Sequence, residues 1–570
     1  MSGVSLMLGN NGGYLWIGEK PASRYQGWFF GLENGNIVKI IDNIQADGGK
    51  AVALENNFWN VKRVWQNLAE SFFLFGNDCL GYELSGVAPV QVFLDIKESY
   101  QNPEFGRHYQ VERVDDLILI SYKQDAEFPS PEIFLAVAGD FKNVEIKNDW
   151  VCRGYEFDRR RGSLPWDRWV FSPASMKASR LVFAVADTKE KAVRQAQTYW
   201  HNFESTKQKL RQDYGKQRIA NDRDLAKYCA QNSLKALFAK KENSLGLRAG
   251  LPWFFQFWQR DEAVSLLGLS RFDKKSAMEI FWRQMVELKA NDFHFKTADG
   301  VGWLFLRAAG FYQSGKFNVG EIPAIREALQ NSIDFLLKNN TCHNLAHTGS
   351  GEKTWMDSLD RTGAAIEIQA LRLNMYSLAA DLAANKKQKE YYLQLEKNLK
   401  QNVKRLFFDG KNLCDRFDCE KSKLDLAVRP NIFLAAYVYP DLLLKKEWAN
   451  AFEFALGKLW FDWGGLAMID KTDGRFCARD TGENPTAYHN GDSWFWVNNI
   501  AAIAMARADK NRFKNYIAKI FEASKKDILW HGAIGCASEI SSAQTYDPVG
   551  CFNQAWSAST FLELCAELKI

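Results

Sequence analysis

The stretch GAAIEIQALRLNMYSLAA, residues 363–380, is long enough for a helix and apolar on most sides. A helix of this kind is expected to be buried in the protein. The segment Thr354-Trp355-Met356-Asp357 comes shortly before it, so Asp357 stands in the loop that feeds a buried helix. An acid held against Trp355 and Met356 loses solvation, which raises its pKa and lets it act as a general acid. The alternative is that Asp357 is an ordinary loop residue or a helix cap.

The chain after residue 220 contains two kinds of helical segment. Segments 430–439 and 492–508 resemble 363–383 in being apolar nearly all round. Segment 387–407 is different, because its apolar residues form one stripe and Lys, Glu and Gln fill the other sides. About twelve such segments follow one another, alternating in kind. Six buried and six amphipathic helices predict an (α/α)6 barrel over residues 221–570.

The first part of the chain has a different pattern. Residues 1–185 contain short alternating runs such as GGYLWIG, VQVFLDI and LILISYK, separated by Gly, Asn, Asp and Pro turns. This pattern predicts an antiparallel β-sandwich. Residues 186–220 are charged and have a helical period, and we interpret them as a linker helix. The predicted fold class is therefore α+β and multidomain, with a β-sandwich domain before the helical barrel.

Composition excludes several classes of function. The 570 residues carry a net charge of only +5, without a long basic block, so nucleic acid is not an expected partner. No apolar run approaches the length of a membrane span. Aromatic residues make up 14% of the chain, which favours a carbohydrate cleft, because sugar rings stack on aromatic planes. The sequence does not define an oligomeric state.

The ten cysteines form no CxxC pair. Residues 1–18 have neither a basic start nor an apolar core, so we expect no signal peptide, a cytoplasmic location and reduced thiols. Cys342, His343 and His347 lie close together, but a zinc site would need a fourth ligand and a better spacing. We therefore predict neither a metal nor a cofactor.

Unusual residues gather in the loops before the six buried helices. In an (α/α)6 barrel these loops meet at one end, which would place acids, Arg, His, Gln and Trp around a single funnel. The candidate site residues are Trp258, Arg260, Asp261, Asp299, Trp303, Trp355, Asp357, Arg429, His489, Trp494, Glu539 and Gln554.

Most of these candidates have a structural alternative. Arg260, a permanent cation, would keep Asp261 ionised as a hydroxyl acceptor, or the two would form only a salt bridge. The other side chains would contact sugar or serve packing, capping and the joining of loops: Trp258, Trp303, Trp494, Asp299, His489, Arg429 and Gln554. Rival carboxylates are Asp360, Glu367 and Glu483.

The ordered motifs LPWFFQFWQRD, TADGVGWLF, TWMD, IEIQAL, RPN, AYHNGDSWFW, ASEI and NQAWS resemble the amylo-α-1,6-glucosidase domain of glycogen debranching enzymes, glycoside hydrolase family 133. The early NNGGY and SRYQG resemble the start of that family's β domain. The resemblance implies that Asp357 is the general acid, Glu539 the general base, and Arg260-Asp261 the holder of the terminal glucose. Gln259, Glu262, Asn490 and Phe495 depart from the family pattern, which affects substrate preference more than chemistry.

The resemblance implies an inverting exo-α-glucosidase that removes single α-1,6-linked glucose residues from glycogen or related α-glucans. Two alternatives stay open at this point. One is a different hydrolysis on the same barrel, either α-1,4 exo-cleavage as in glucoamylase or cleavage of a small oligosaccharide. The other is a glycan-binding protein without activity, against which the presence of both Asp357 and Glu539 argues.

Overall fold

The computed structural model describes residues 4–9, 11–19, 21–32, 35–125, 127, 132–215 and 219–570. Within these ranges the first domain contains one antiparallel sheet of thirteen strands. The strands are β1 Val4–Leu8, β2 Tyr14–Gly18, β3 Gly27–Gly31, β4 Ile37–Ala46, β5 Ala51–Asn56, β6 Val61–Trp65, β7 Ala69–Leu74, β8 Cys79–Glu98, β9 Arg107–Val114, β10 Leu117–Gln124, β11 Ile133–Gly139, β12 Lys142–Gly154 and β13 Asp167–Ala186. The predicted N-terminal antiparallel β domain is confirmed.

Two long strands organise this sheet. β8 pairs with β7 through its first half and with β4 through its second half. β13 runs antiparallel to β8, and register shifts interrupt the pairing of the two strands. The sheet encloses an apolar core to which both ends of the strand order contribute, including Leu15 and Ile120. Asn10 of the NNGGY motif lies outside the described residues.

The helices follow the order predicted from periodicity. Their bounds are α1 Glu156–Arg161, α2 Lys189–His201, α3 Phe203–Gly215, α4 Asp222–Ala236, α5 Gln259–Leu269, α6 Lys274–Ala290, α7 Gly300–Gln313, α8 Ile322–Asn339, α9 Ile366–Asp381, α10 Lys386–Phe407, α11 Asn431–Val438, α12 Lys445–Leu459, α13 Phe495–Asp509, α14 Lys514–Lys526 and α15 Ala555–Leu568. The predicted linker segment forms two helices, α2 and α3. Helix α2 packs on strands β11 and β13 of the first domain.

The twelve helices α4–α15 form the predicted (α/α)6 barrel. Helices α5, α7, α9, α11, α13 and α15 each pack on the next, and α15 packs on α5, which closes the inner ring. The even-numbered helices from α4 to α14 lie outside this ring. Burial explains the division, because nearly every residue of α9 is buried, whereas α10 buries only the stripe that includes Leu399 and Val403. In the described part of the chain, none of the helices is both long and apolar enough to span a membrane.

Six loops lead from an outer helix into an inner one, and most of them contain short strands. These strands are β14 Phe238–Lys241, β15 Ser244–Leu247, β16 Gly250–Leu251, β17 Thr341–Cys342, β18 Leu345–Ala346, β19 Ala364–Ala365, β20 Arg416–Asp418, β21 Lys423–Asp425, β22 Trp460–Phe461, β23 Gly465–Leu466, β24 Ser493–Trp494, β25 Ile540–Ser541, β26 Pro548–Val549 and β27 Asn553–Gln554. Pairing between loops, such as β16 with β27 and β24 with β25, holds the loops together at one end of the barrel.

The β domain packs against this loop end through apolar contacts. Trp16 meets Phe552 edge to face, with ring centroids 4.9 Å apart, and Tyr14 stacks near Phe255 at 6.5 Å. Phe255 and Phe552 lie in loops that enter inner helices, and these side chains belong to the same continuous core as the barrel. An apolar interface of this kind holds the two domains in one arrangement. The β domain is therefore placed beside the predicted funnel.

Candidate active site

The loop end of the barrel encloses a cavity of about 480 Å³. Barrel residues reach it from four of the six loops, namely those before α5, α9, α13 and α15. The predicted residues that line the cavity are Trp258, Arg260, Asp261, Trp355, Asp357, Trp494, Glu539 and Gln554. Asp299, Trp303, Arg429 and His489 do not line it. The first three belong to the loops or helix starts of α7 and α11, which stop short of the cavity.

Asp357 lies on the cavity wall, although not in the environment expected from its neighbours. Trp355 and Met356 are fully buried, whereas the Asp357 side chain is 40% exposed. Its Oδ2 accepts a hydrogen bond of 2.9 Å from Nη2 of Arg260. The expectation that Trp355 and Met356 desolvate this carboxyl is therefore wrong, because the carboxyl extends into the open cavity, whereas Met356 is packed in the core and the buried Trp355 forms part of the cavity wall. The neighbours position Asp357 rather than shield it.

Glu539 is buried at the same cavity. The Tyr488 hydroxyl donates a hydrogen bond to its Oε1, and the backbone N–H of Cys551 donates to Oε2 at 2.8 Å. Burial raises the pKa of Glu539 to about 7, against the lowering effect of these two donors. A carboxyl with this pKa is partly ionised at neutral pH, which suits a general base.

Gly550 allows the backbone to approach Glu539 this closely. Its φ of +67° lies in the left-handed region, and a Cβ there would stand 2.5 Å from Glu539 Oε2. Gly550 and Tyr488 were not among the predicted site residues. Tyr488 lies in the AYHNGDSWFW motif, whereas nothing in the local sequence marks Gly550. Their contact with Glu539 arises from the meeting of the loops before α13 and α15, which local sequence does not show.

Arg260 has a different principal partner from the one predicted. It contacts Asp357 at 2.9 Å, while its Nε lies 3.7 Å from Asp261 Oδ2. Burial raises the pKa of Asp261 to about 7, and the Arg260 charge only partly offsets that rise. The prediction that Arg260 keeps Asp261 fully ionised is therefore wrong. Gln554 Nε2 lies 3.5 Å from Asp261 Oδ1, so the two form a polar group at the cavity wall.

If Asp261 holds a sugar hydroxyl, as the sequence predicts, Asp261→Asn should lower kcat/KM about tenfold to a hundredfold, because the charged acceptor of that hydrogen bond is lost. The side chain keeps its size, so the variant should stay folded. Steady-state kinetics together with a thermal unfolding curve test this. Unchanged kcat/KM in a folded variant would show that Asp261 has only a structural role.

The tryptophans separate into two groups. Trp258, Trp355 and Trp494 line the cavity, and Trp258 is the most exposed of them at 40%. Trp303 is fully buried and meets Trp496 edge to face, so it packs the core and the prediction that it lines the funnel is wrong. Trp556, which the sequence reasoning did not select, does line the cavity.

His489 and Arg429 lie next to the cavity wall and join the loops that form it. The His489 ring stacks on Trp494 at 5.0 Å, and its Nδ1 shares a hydrogen bond of 2.7 Å with Ser358 Oγ. Burial and nearby arginines lower the pKa of His489 well below its usual value, so the ring is neutral. Arg429 donates to the His489 carbonyl oxygen at 2.7 Å. Both residues join loops and neither lines the cavity, so their predicted contact with sugar is wrong.

Asp299 also belongs to this supporting layer. It is fully buried, and its carboxylate lies 3.8 Å from Nη1 of Arg260. It occupies the N-cap position of α7 but makes no side-chain cap hydrogen bond. Its charge therefore stabilises Arg260 rather than lining the funnel or capping the helix.

The rival carboxylates are placed elsewhere or at the rim. Asp360 is exposed and bonds Thr362, and Glu367 is buried in an ion pair with Arg361. Glu483 does line the cavity, but it is exposed and pairs with Arg161 at 3.1 Å. Asp357 and Glu539 thus remain the pair best placed for acid–base work.

The cysteine prediction needs a correction at one pair. Cys342 and Cys419 form a disulfide between the loops before α9 and α11, whereas the other eight cysteines are free. His347 joins these two residues in a cluster whose potential ligand atoms lie within 4.8 Å of one another. The disulfide leaves neither sulfur available as a thiolate ligand.

A glycoside hydrolase uses two carboxyls on one cavity, with aromatic planes and hydroxyl-binding side chains around them, and this cavity has that arrangement. The family model described as amylo-alpha-1,6-glucosidase matches residues 226–563. The chain belongs to this family and is a glycoside hydrolase.

The fold has a solved counterpart. A bacterial glucoamylase, whose crystal structure was determined in complex with acarbose, superposes with a TM-score of 0.67 at 13% sequence identity. The match covers 99% of this chain and 94% of that chain, which confirms the glucoamylase-like arrangement of β domain and barrel. No curated protein sequence matches the chain significantly.

Proposed function

We propose that the protein is an exo-acting α-glucosidase that hydrolyses α-1,6-linked glucose stubs of glycogen or related α-glucans with inversion. The observation that supports this best is the placement of Asp357 and Glu539 on one cavity together with the buried polar group of Asp261 and Gln554. Such buried groups can hold the hydroxyls of one terminal glucose, which favours cleavage from a chain end.

The proposed chemistry divides between the two carboxyls. Asp357 protonates the glycosidic oxygen, and Arg260 orients it through the 2.9 Å hydrogen bond. Glu539, held by Tyr488 and the Cys551 N–H, removes a proton from the attacking water. An inverting pair needs room for that water between the two carboxyls. In the net reaction, water cleaves one glycosidic bond and the products are free glucose and a shortened glucan.

We expect the protein to release glucose from a maltooligosaccharide that carries a single α-1,6-linked glucose stub at a kcat/KM at least tenfold above that for linear maltooligosaccharides. The first product should be β-glucose, because water attacks the face opposite the leaving group. Proton NMR during the first minutes of the reaction separates the two anomers before mutarotation mixes them. A heat-denatured sample controls for background hydrolysis.

Two results would contradict the proposal in different ways. A preference for linear chains would favour α-1,4 exo-hydrolysis on the same barrel, the activity for which the structurally similar glucoamylase is named. Early α-glucose would instead contradict the inverting mechanism and the assignment of Glu539 as base. Binding without any glucose release would indicate a glycan-binding role.

A further inference from the structure

Part of the cavity wall comes from the β domain rather than from the barrel. The residues are Arg24, Tyr25, Tyr100, Arg161 and Ser163. Arg24 and Tyr25 belong to the SRYQG motif, and Arg161 ends helix α1. None of them belongs to the acid–base pair or to the buried polar group of Asp261 and Gln554. The proposed function therefore leaves this wall without a role.

Hydrogen bonds hold the wall rigidly. The Arg24 guanidinium donates to the Ser163 carbonyl oxygen at 2.7 Å and to Ser163 Oγ at 3.1 Å. The backbone N–H of Arg24 donates to Asp158 at 2.7 Å. Across the domain boundary, the Tyr100 hydroxyl donates to the Trp253 carbonyl oxygen at 2.8 Å. A surface fixed in this way is preorganised, so little entropy is lost when a ligand binds to it.

Arg161 is the residue of the wall whose side chain has a hydrogen-bond donor without a partner among the described residues. Its guanidinium lies 3.8 Å over the ring of Trp253, and its Nη2 contacts Glu483 at 3.1 Å. Its Nη1 is buried and has no hydrogen-bond partner among the described residues. The Glu483 N–H donates to the Arg161 carbonyl oxygen at 2.7 Å, which ties the loop before α13 to the β domain. A buried donor without a partner is costly unless a ligand satisfies it.

The charges of the wall indicate a neutral ligand. Arg24 is paired with Asp158 at 3.4 Å, and Arg161 is paired with Glu483. Each guanidinium therefore has a carboxylate of its own, which disfavours a phosphate or another anion. What remains are hydrogen-bond donors held against the rings of Tyr25 and Trp253, which are mostly buried and of which Trp253 is covered on one face by Arg161. The wall therefore offers hydrogen bonds rather than an open stacking plane, which suits the hydroxyls of a sugar.

We propose that Arg161, Trp253 and Tyr25 form a binding site for the leaving-group glucan, the glucose residues that stay on the chain after cleavage. This inference rests on the proposed function, because it assigns a site for the second half of the same substrate. The barrel then holds the glucose to be released, and the β domain together with Trp253 of the loop before α5 holds the chain from which it is cut. Substrate selection beyond the terminal glucose is assigned to this boundary between the two domains.

The test uses two substrates that differ only in what leaves. One is a maltooligosaccharide with a single α-1,6 glucose stub, which offers glucose residues to the β-domain wall. The other is α-glucosyl fluoride, whose leaving fluoride ion cannot occupy a glucan site. The variants are Arg161→Lys, which retains the charge beside Glu483, and the charge-neutral pair Arg161→Gln with Glu483→Gln.

We expect the neutral pair to lower kcat/KM for the stub substrate about tenfold to a hundredfold, mainly through KM. The Arg161 charge also lowers the pKa of Glu539, so the rates are compared on the plateau of each pH profile. There the kcat/KM for glucosyl fluoride should change less than twofold. Arg161→Lys should show the same selective loss to a smaller degree, because a lysine lacks the planar fork of donors. An equal loss on both substrates, or no loss on the stub substrate, would overturn the proposal.

Arg159→Gln is the matched control. Arg159 lies on the same helix and pairs with Asp167, but both side chains are about half exposed, and Arg159 does not line the cavity. Arg159→Gln should alter neither rate.

If the wild-type protein cleaves only linear chains, the proposed α-1,6 linkage is wrong, and maltotriose replaces the stub substrate in the test. A selective loss on maltotriose would then support the wall site, and a parallel loss on both substrates would reject it.

Discussion

Glu539→Gln is expected to reduce kcat on glucan substrates about a hundredfold to ten-thousandfold, because an amide cannot accept the proton of the attacking water. The glutamine keeps the size of the side chain, and its amide oxygen can accept the N–H of Cys551 while its NH2 group donates to the hydroxyl oxygen of Tyr488. The variant should therefore fold. Glucosyl fluoride should not rescue it, because the water must be activated whichever group leaves. A variant that retains more than a tenth of the wild-type rate would exclude Glu539 as the base.

The pH profile of the wild-type protein gives an independent check on this base. Because the pKa of Glu539 is raised to about 7, kcat/KM should fall below that pH as the carboxylate takes up a proton. The Tyr488 hydroxyl lowers this pKa by its hydrogen bond. Tyr488→Phe should therefore move the acidic limb to higher pH. If the acidic limb does not move in Tyr488→Phe, another group, such as Asp261, controls that limb.

Asp357→Asn is expected to cause a loss of similar size, about a hundredfold to ten-thousandfold, but one that depends on the leaving group. Glucan substrates need a proton on the departing oxygen, whereas fluoride leaves without one. The variant should thus recover most of its activity on glucosyl fluoride. Its side chain is 40% exposed, so the substitution should leave folding intact.

Asp360→Asn is the control for this position, since Asp360 is an exposed carboxyl three residues away that bonds Thr362. It should retain wild-type kinetics on both substrates. If Asp357→Asn loses the same factor on glucosyl fluoride as on glucan, the carboxyl does not act as the acid. Asp261, with its raised pKa, would then be the next carboxyl to test as the proton donor.

The barrel was predictable because the local composition of a helix indicates whether the helix is buried. A segment such as 363–380 has too few polar sides to face water, so it must lie inside a ring of other helices, and α9 does so. The amphipathic segment 387–407 can cover such a ring from outside, as α10 does. The loops between them then had to meet at one end. That reasoning, together with the family motifs, brought Asp357, Glu539, Arg260 and Asp261 to one cavity.

Other features depended on the direction of side chains, which local sequence does not determine. Trp303 and Trp494 both stand near the start of an inner helix, yet only Trp494 reaches the cavity. Arg260 follows Trp258 and precedes Asp261 in sequence, but its guanidinium extends to Asp357, which is 97 residues away. The pKa of Asp261 likewise depends on burial by residues from several loops, so the charge of the adjacent Arg260 did not predict the ionisation of Asp261.

The sequence by itself determined the two domains, the alternation of inner and outer helices and the main catalytic candidates, because periodicity and motif order are local properties of the chain. Only the tertiary structure decided which candidates line the cavity and what they pair with. It also showed that the β domain supplies part of that cavity, through Arg24, Tyr25 and Arg161. Such contacts arise from the docking of two domains over an apolar interface, and no pattern within either domain contains them.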